Sequence, residues 1–151
     1  MTPRTPDWRS LRDKLRKQRE LLDILTSLGS FDVARLEQDR VATLAAERIL
    51  TQVVELAFAA NSHIVVTTLN RAPDTYADSF LLAAKVGALS AELVQQLVPS
   101  TKLRNVLVHE YMDIDLRMVA VAIPMAIEQY GRYIHEVAAW ILAHDSGPEP
   151  G

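Results

Sequence analysis

Apolar residues recur along this chain every three to four positions rather than at every second one, which is the spacing of one face of an α-helix. Trp8, Leu11, Leu15, Leu22 and Leu25 form one such seam, and Gly29 follows it, so a first helix is predicted over 7–28. The pattern resumes after Asp32 and predicts a second helix over 32–69, about 55 Å long at 1.5 Å per residue, a length that suits a bundle spine. The run His63-Ile64-Val65-Val66-Thr67-Thr68 is ambiguous with a strand and reads here as the end of that helix. Asp74 is placed to cap a third helix ending at Gly87, and Ser90 to cap a short fourth ending near Pro99. A fifth covers 101–111, and Asp113 or Asp115 caps a last helix that Pro124 should kink or split before it reaches His144. The expected fold is all-α: an up-down helical bundle of about five to six helices with one long central helix. Residues 1–145 are expected to form a single domain, and the tail 146–151 is too poor in apolar residues to fold.

Composition narrows the possible chemistry. The chain has 151 residues, 49% hydrophobic and 23% charged, enough to bury a real core. It has no cysteine, which removes disulfides, thiolate nucleophiles and cysteine-bound zinc, and sits easily with a reducing cytoplasm. The longest apolar run, 118–127, contains Pro124 and is half the roughly 20 residues a membrane helix needs. The start, Met1-Thr2-Pro3-Arg4, lacks an apolar signal core. A cytoplasmic location without membrane attachment is therefore expected. His63, His135 and His144 are not spaced as metal ligands, and no glycine loop suited to phosphate is present, so neither metal nor cofactor is expected.

A net charge of −3 argues against gripping nucleic acid by bulk electrostatics, so any such contact must be local. One local candidate is the stripe Arg9, Arg12, Arg16 and Arg19 on the first helix. It reads either as a phosphate or partner surface, or as a solvated face paired with Asp13, Glu20 and Asp23.

The strongest candidate is Arg104-Asn105-Val106-Leu107-Val108-His109-Glu110-Tyr111, which gathers a permanent cation, an amide, an imidazole and a phenol within two helical turns. These are the parts a metal-free phosphodiester cleavage site needs. On an ideal helix Arg104, Asn105, His109 and Tyr111 share one face roughly 160° wide, while Leu103, Val106 and Leu107 pack inward behind it. A bare Arg-x4-His pair arises by chance roughly 0.3 times in a chain of this composition; adding the Asn and the Tyr lowers the expectation to the order of 10⁻⁴.

With those four residues the chain resembles the HepT-like toxins of the HEPN superfamily, whose signature is Arg-x4-His-x-Tyr. Pro73-Asp74-Thr75-Tyr76-Ala77-Asp78-Ser79-Phe80, followed by Gly87-Ala88-Leu89-Ser90, is similar to that family's tyrosine-centred helix and its glycine exit; Ile114-Asp115 also fits. The likeness covers roughly residues 52–133 and does not extend to the proline-rich N-terminus or the tail. It implies an RNA-cleaving toxin of a toxin–antitoxin pair, acting as a homodimer with a shared site on tRNA or mRNA, with neither DNA nor a membrane as partner. It further implies an antitoxin resembling MntA, a minimal nucleotidyltransferase that silences the toxin by transferring AMP to Tyr111.

The residue types agree with that chemistry. Cleaving RNA without metal turns its own 2′-hydroxyl on the adjacent phosphorus, which needs a base, an acid for the leaving 5′-oxygen and a cation for the phosphate. An imidazole ordinarily titrates near pH 6.5, so His109 suits the acid or base role, and the planar fork of Arg104 suits phosphate oxygens. Asn105 is placed either to orient the imidazole or to bond a ribose or phosphate oxygen. Glu55 is a further candidate behind these groups, with burial or ion pairing as its plainer reading. Each residue also has a duller reading: Arg104 as an ion-pair partner of Glu110 or Asp113, His109 as a packed histidine, Tyr111 as a loop anchor. The alternative function is a catalytically silent helical subunit that binds a minimal nucleotidyltransferase.

Overall fold

The computed structural model describes residues 5–145, and these contain six α-helices and no strand. The helices are α1 (Trp8–Ser27), α2 (Val33–Gln38), α3 (Arg40–Leu69), α4 (Tyr76–Lys85), α5 (Ala91–His109) and α6 (Leu116–His144). The tail expected over 146–151 and the sequence start lie outside the described residues.

Most boundaries follow from capping. Asp7, Asp32, Asp39, Thr75, Ser90 and Asp115 each accept a hydrogen bond from a backbone N–H of the helix they precede, satisfying donors that a helix start leaves without partners. Gly29 (φ 86°) and Gly87 (φ 88°) turn the chain after α1 and α4 in the left-handed region, where a side chain is strained.

Several expectations need correction. The predicted 32–69 helix is two helices, because Asp39 leaves the helical conformation (φ −100°, ψ 80°) and its carboxylate caps α3 by accepting from Ala42 N–H. The third helix is capped by Thr75 rather than Asp74. Pro99 does not end a helix: α5 runs through it, with Pro99 on the solvent side and the Ser100 and Thr101 hydroxyls donating to the Leu97 and Val98 carbonyls. Pro124 likewise lies inside an unbroken α6. There are thus two long helices, α3 of 30 residues and α6 of 29, rather than one.

The long helices run side by side in one direction, with α1 and α5 antiparallel to both. Gln18 of α1 donates to the Val53 carbonyl of α3 at 2.9 Å while Asp7 N–H donates to His63 Nε2, fixing an antiparallel register. On α6, Trp8 packs on Trp140 with ring centroids 5.6 Å apart. Ser90 bonds Glu136, and Ser100 bonds the Tyr130 hydroxyl, which sets α5 antiparallel to α6. One core runs through all six helices, including Leu11, Leu22, Leu36, Val53, Ile64, Phe80, Leu93, Leu97, Val119, Tyr130 and Tyr133. By length and apolar content α3 matches a membrane span, but in this fold α1, α4, α5 and α6 all pack against it.

A polar seam crosses this core. The Tyr133 hydroxyl donates to Asn61 Oδ1 at 2.7 Å and lies 3.2 Å from the Ala57 carbonyl, while Asn61 Nδ2 donates to Ser79 Oγ at 3.3 Å. All three side chains are buried. Replacing Tyr133→Phe strands the Asn61 carbonyl oxygen in the core, and urea unfolding should show a loss of about 1–3 kcal/mol.

Candidate functional site

The candidate residues sit on the last turns of α5. Its C-cap Glu110 returns its N–H to the Val106 carbonyl at 2.9 Å, and Asp113 N–H then bonds the Glu110 carbonyl, making a tight turn before Asp115 starts α6. Arg104, Asn105 and His109 are therefore helical, whereas Tyr111 is not: it stands on the turn, its residue 69% exposed. The helical face expected to hold all four residues therefore does not include Tyr111. Leu103 and Leu107 pack against the core and Val106 is half-buried, as the pattern required.

Arg104 is the most constrained of the group, with its side chain 17% exposed. Its Nη2 donates to Glu55 Oε1 on α3 at 3.0 Å, and its Nη1 to Asn105 Oδ1 at 3.3 Å. The guanidinium also lies over the ring of Tyr76 at the start of α4, 4.8 Å from the centroid, and the Tyr76 ring stacks on Phe58 at 4.1 Å. Arg104 Nε is buried without a hydrogen-bond partner. The ion-pair partner is thus Glu55, not Glu110 or Asp113. Glu55 does not face the interior: it is half-exposed beside α5, where its carboxylate meets the guanidinium. His109 is exposed and its imidazole makes no hydrogen bond or ion pair among the described residues, so it is not a packed core histidine.

Beside Arg104 opens a groove of about 390 Å³ between α3, α5 and α6. Its walls are mainly apolar, including Leu50, Leu103, Met118, Val121 and Met125, with Arg104 and Arg117 at its polar edge. Arg117 bonds Asp115 through backbone and side chain, which holds the Asp115 carboxyl below the usual carboxylate range. The groove escaped the sequence reading. Its available signal was Met118, Val121 and Met125, an apolar stripe at helical spacing in excess of what the core uses. Tyr76 and Phe58 were equally missed as neighbours of Arg104, because nothing local ties them to it.

The α1 stripe resolves largely into surface pairs: Arg12 with Asp145, Arg16 with Asp13, Arg19 with Asp23. Arg9 has no carboxylate partner among the described residues.

The described residues thus form an all-helical bundle that presents arginine, asparagine and histidine on the last turns of one helix. Residues 17–137 match the family model described as Ribonuclease HepT-like. A curated relative named tRNA nuclease HepT, from Aphanizomenon flos-aquae (strain 2012/KM1/D3), is 35% identical over 99 residues, which cover 66% of this chain and 67% of that one. The chain belongs to the HepT-like ribonuclease family. Among solved structures, the tri-AMPylated Shewanella oneidensis HEPN toxin in complex with MNT antitoxin superposes with a TM-score of 0.77 at 21% identity, covering 86% of this chain and 97% of that chain. The cytosolic protein of unknown function YutE from Bacillus subtilis superposes with a TM-score of 0.80 at 16% identity, covering 95% of each.

The tyrosines differ sharply in environment. Burial pushes the Tyr130 and Tyr133 phenols well above their ordinary range, whereas Tyr111 is open to solvent. Tetranitromethane attacks phenolate, so at pH 8 peptide mapping should find Tyr111 nitrated first, and Tyr130 and Tyr133 nitrated only once urea unfolds the chain.

Proposed function

We propose that this protein is the toxin of a toxin–antitoxin pair, an endoribonuclease that cleaves tRNA or mRNA without a metal and is silenced by AMP transfer to Tyr111. The observation that carries this reading is the arrangement on α5: Arg104 and Asn105 on its last two turns, the exposed His109 as its last residue, and the exposed Tyr111 two residues beyond. The name of the cyanobacterial relative supports the nuclease and tRNA as a substrate. The composition of the Shewanella complex supports a nucleotidyltransferase antitoxin and AMP as the silencing group.

In the reaction, a base takes the proton of the 2′-hydroxyl, the 2′-oxygen bonds phosphorus, and the bond to the 5′-oxygen breaks as an acid returns a proton to it. The products are a 2′,3′-cyclic phosphate and a 5′-hydroxyl. Arg104 stabilises the charge that builds on the phosphate oxygens, and His109 exchanges the protons. Asn105 orients Arg104 through its 3.3 Å contact and lies one turn before the imidazole. One histidine serves one proton transfer at a time, so the reading includes a two-fold homodimer that lends a second His109 across the groove. Met118, Val121 and Met125, exposed on α6 beside that groove, are the apolar surface such a dimer would cover. A cytoplasmic location follows from the substrate.

AMP on Tyr111 would set a phosphodiester and an adenosine beside Arg104 and His109, competing with RNA for the guanidinium and the space. A second reading, a silent binding subunit for the nucleotidyltransferase, is favoured by one observation: the guanidinium is already engaged by a carboxylate.

Cleavage of purified tRNA and mRNA in excess chelator separates the two. The nuclease reading expects wild-type cleavage, loss of about 10²- to 10⁴-fold in Arg104→Ala and His109→Ala, and retention in Tyr111→Phe, which should no longer take AMP from an MntA-like partner. No cleavage by wild type whose Tyr111 is free by intact mass favours the binding subunit. For the dimer, sedimentation should give two chains for wild type and one for the double variant Val121→Glu, Met125→Glu, with cleavage lost in the monomer.

A further inference from the structure

Arg104 is gripped from three directions. Glu55 takes one hydrogen of Nη2, Asn105 takes one of Nη1, and the Tyr76 ring covers one face of the guanidinium. The other face of Tyr76 lies on Phe58, with the two rings only 15° from parallel. Tyr76 is therefore not a free aromatic surface but the middle layer of a stack of Phe58, Tyr76 and Arg104.

The position of that layer is tied to the core. The Tyr76 carbonyl accepts from Ser79 Oγ at 2.7 Å, Ser79 Oγ accepts from Asn61, and Asn61 accepts from the buried Tyr133 hydroxyl. Thr75, immediately before it, caps α4 through Asp78 N–H. The first turn of α4 is thus anchored at the same place where its ring meets Arg104.

A guanidinium carries five N–H groups in one plane. Two are occupied by Glu55 and Asn105, and Nε–H is shut away from solvent without a partner. One hydrogen on each terminal nitrogen remains. A buried N–H without a partner is an unfavourable arrangement that folded proteins seldom keep. The contacts that orient the guanidinium are therefore those of its terminal nitrogens and of the ring, not one at Nε.

We propose that Tyr76 is a positioning residue for Arg104, acting with Glu55 as a two-sided clamp. The ring fixes the plane of the guanidinium, Glu55 fixes its rotation within that plane, and the remaining hydrogens are aimed as a unit at the phosphodiester. Tyr76 touches no reacting atom; it acts only through Arg104. This deepens the nuclease reading and rests on it for the identity of the phosphodiester, while the clamp itself stands on the geometry.

Two measurements on the full chain test it. The first follows rotation of the Arg104 guanidinium by ¹⁵N NMR, with the unpaired Arg9 as internal reference. Rotation should be hindered in wild type and in Tyr76→Phe, and free in Tyr76→Leu and in Glu55→Ala, which removes the acceptor of a half-exposed side chain and leaves the fold in place. Wild-type Arg104 rotating as freely as Arg9 would overturn the proposal. The second is RNA cleavage in chelator on variants whose thermal unfolding matches wild type. Tyr76→Leu and Glu55→Ala should lose about 10- to 100-fold in kcat with little change in KM, and Tyr76→Phe should stay within about threefold of wild type because it keeps the ring. Cleavage by folded Tyr76→Leu at the wild-type kcat also overturns it. Hindered rotation in wild type that is released in Tyr76→Leu, in a chain that cleaves no RNA, upholds the clamp and removes the nuclease reading instead.

Discussion

The contact on which the rest of the structure depends is the buried hydrogen bond from Tyr133 to Asn61, where the two longest helices meet. Apolar surfaces slide past one another at small cost, whereas a hydroxyl and an amide in a low-dielectric interior have one good register. Once α6 is fixed along α3, Tyr130 faces Ser100 and Glu55 faces Arg104, so α5 is set against both spines at once. The same amide passes the constraint onward through Ser79 to the first turn of α4. A chain of hydrogen bonds thus runs from the core to the Tyr76 carbonyl, and the Tyr76 ring meets Arg104.

Much of the fold was legible in the sequence because helices of this kind are declared locally. Asp7, Ser90 and Asp115 before apolar repeats mark three starts, and Gly29 and Gly87 mark two ends. Asp39 was not legible: an acid inside a helical pattern looks like a surface residue, and only the packing of the buried Leu36 and the position of α3 turn it into a break with a cap. Pro99 misled in the opposite sense. A proline on the solvent face of a helix that packs through Leu93, Leu97 and Thr101 is carried by those neighbours. Tyr111 was assigned to a helix because spacing alone does not reveal that the backbone leaves the helix at Glu110.

The site divides along the same line. Arg104, Asn105 and His109 lie within six consecutive residues, so their association was written in the primary structure. Glu55 on α3 reaches Arg104 across 49 positions, and Tyr76 comes from α4, its ring stacked on Phe58 of α3. Charge tells a similar story. The net charge is −3, and among the described residues three of the four arginines in the α1 stripe, Arg12, Arg16 and Arg19, pair with acids, while Arg104 keeps only 17% of its side chain in solvent.

The end of α5 at His109 divides the candidate residues into two mechanical classes. Arg104, Asn105 and His109 belong to the rigid body of the bundle, while Tyr111 belongs to the link between two of its members. A change in the length or composition of that link would re-aim the phenol without displacing the guanidinium or the imidazole. The orientation of the phenol and that of the guanidinium are therefore set by separate stretches of sequence.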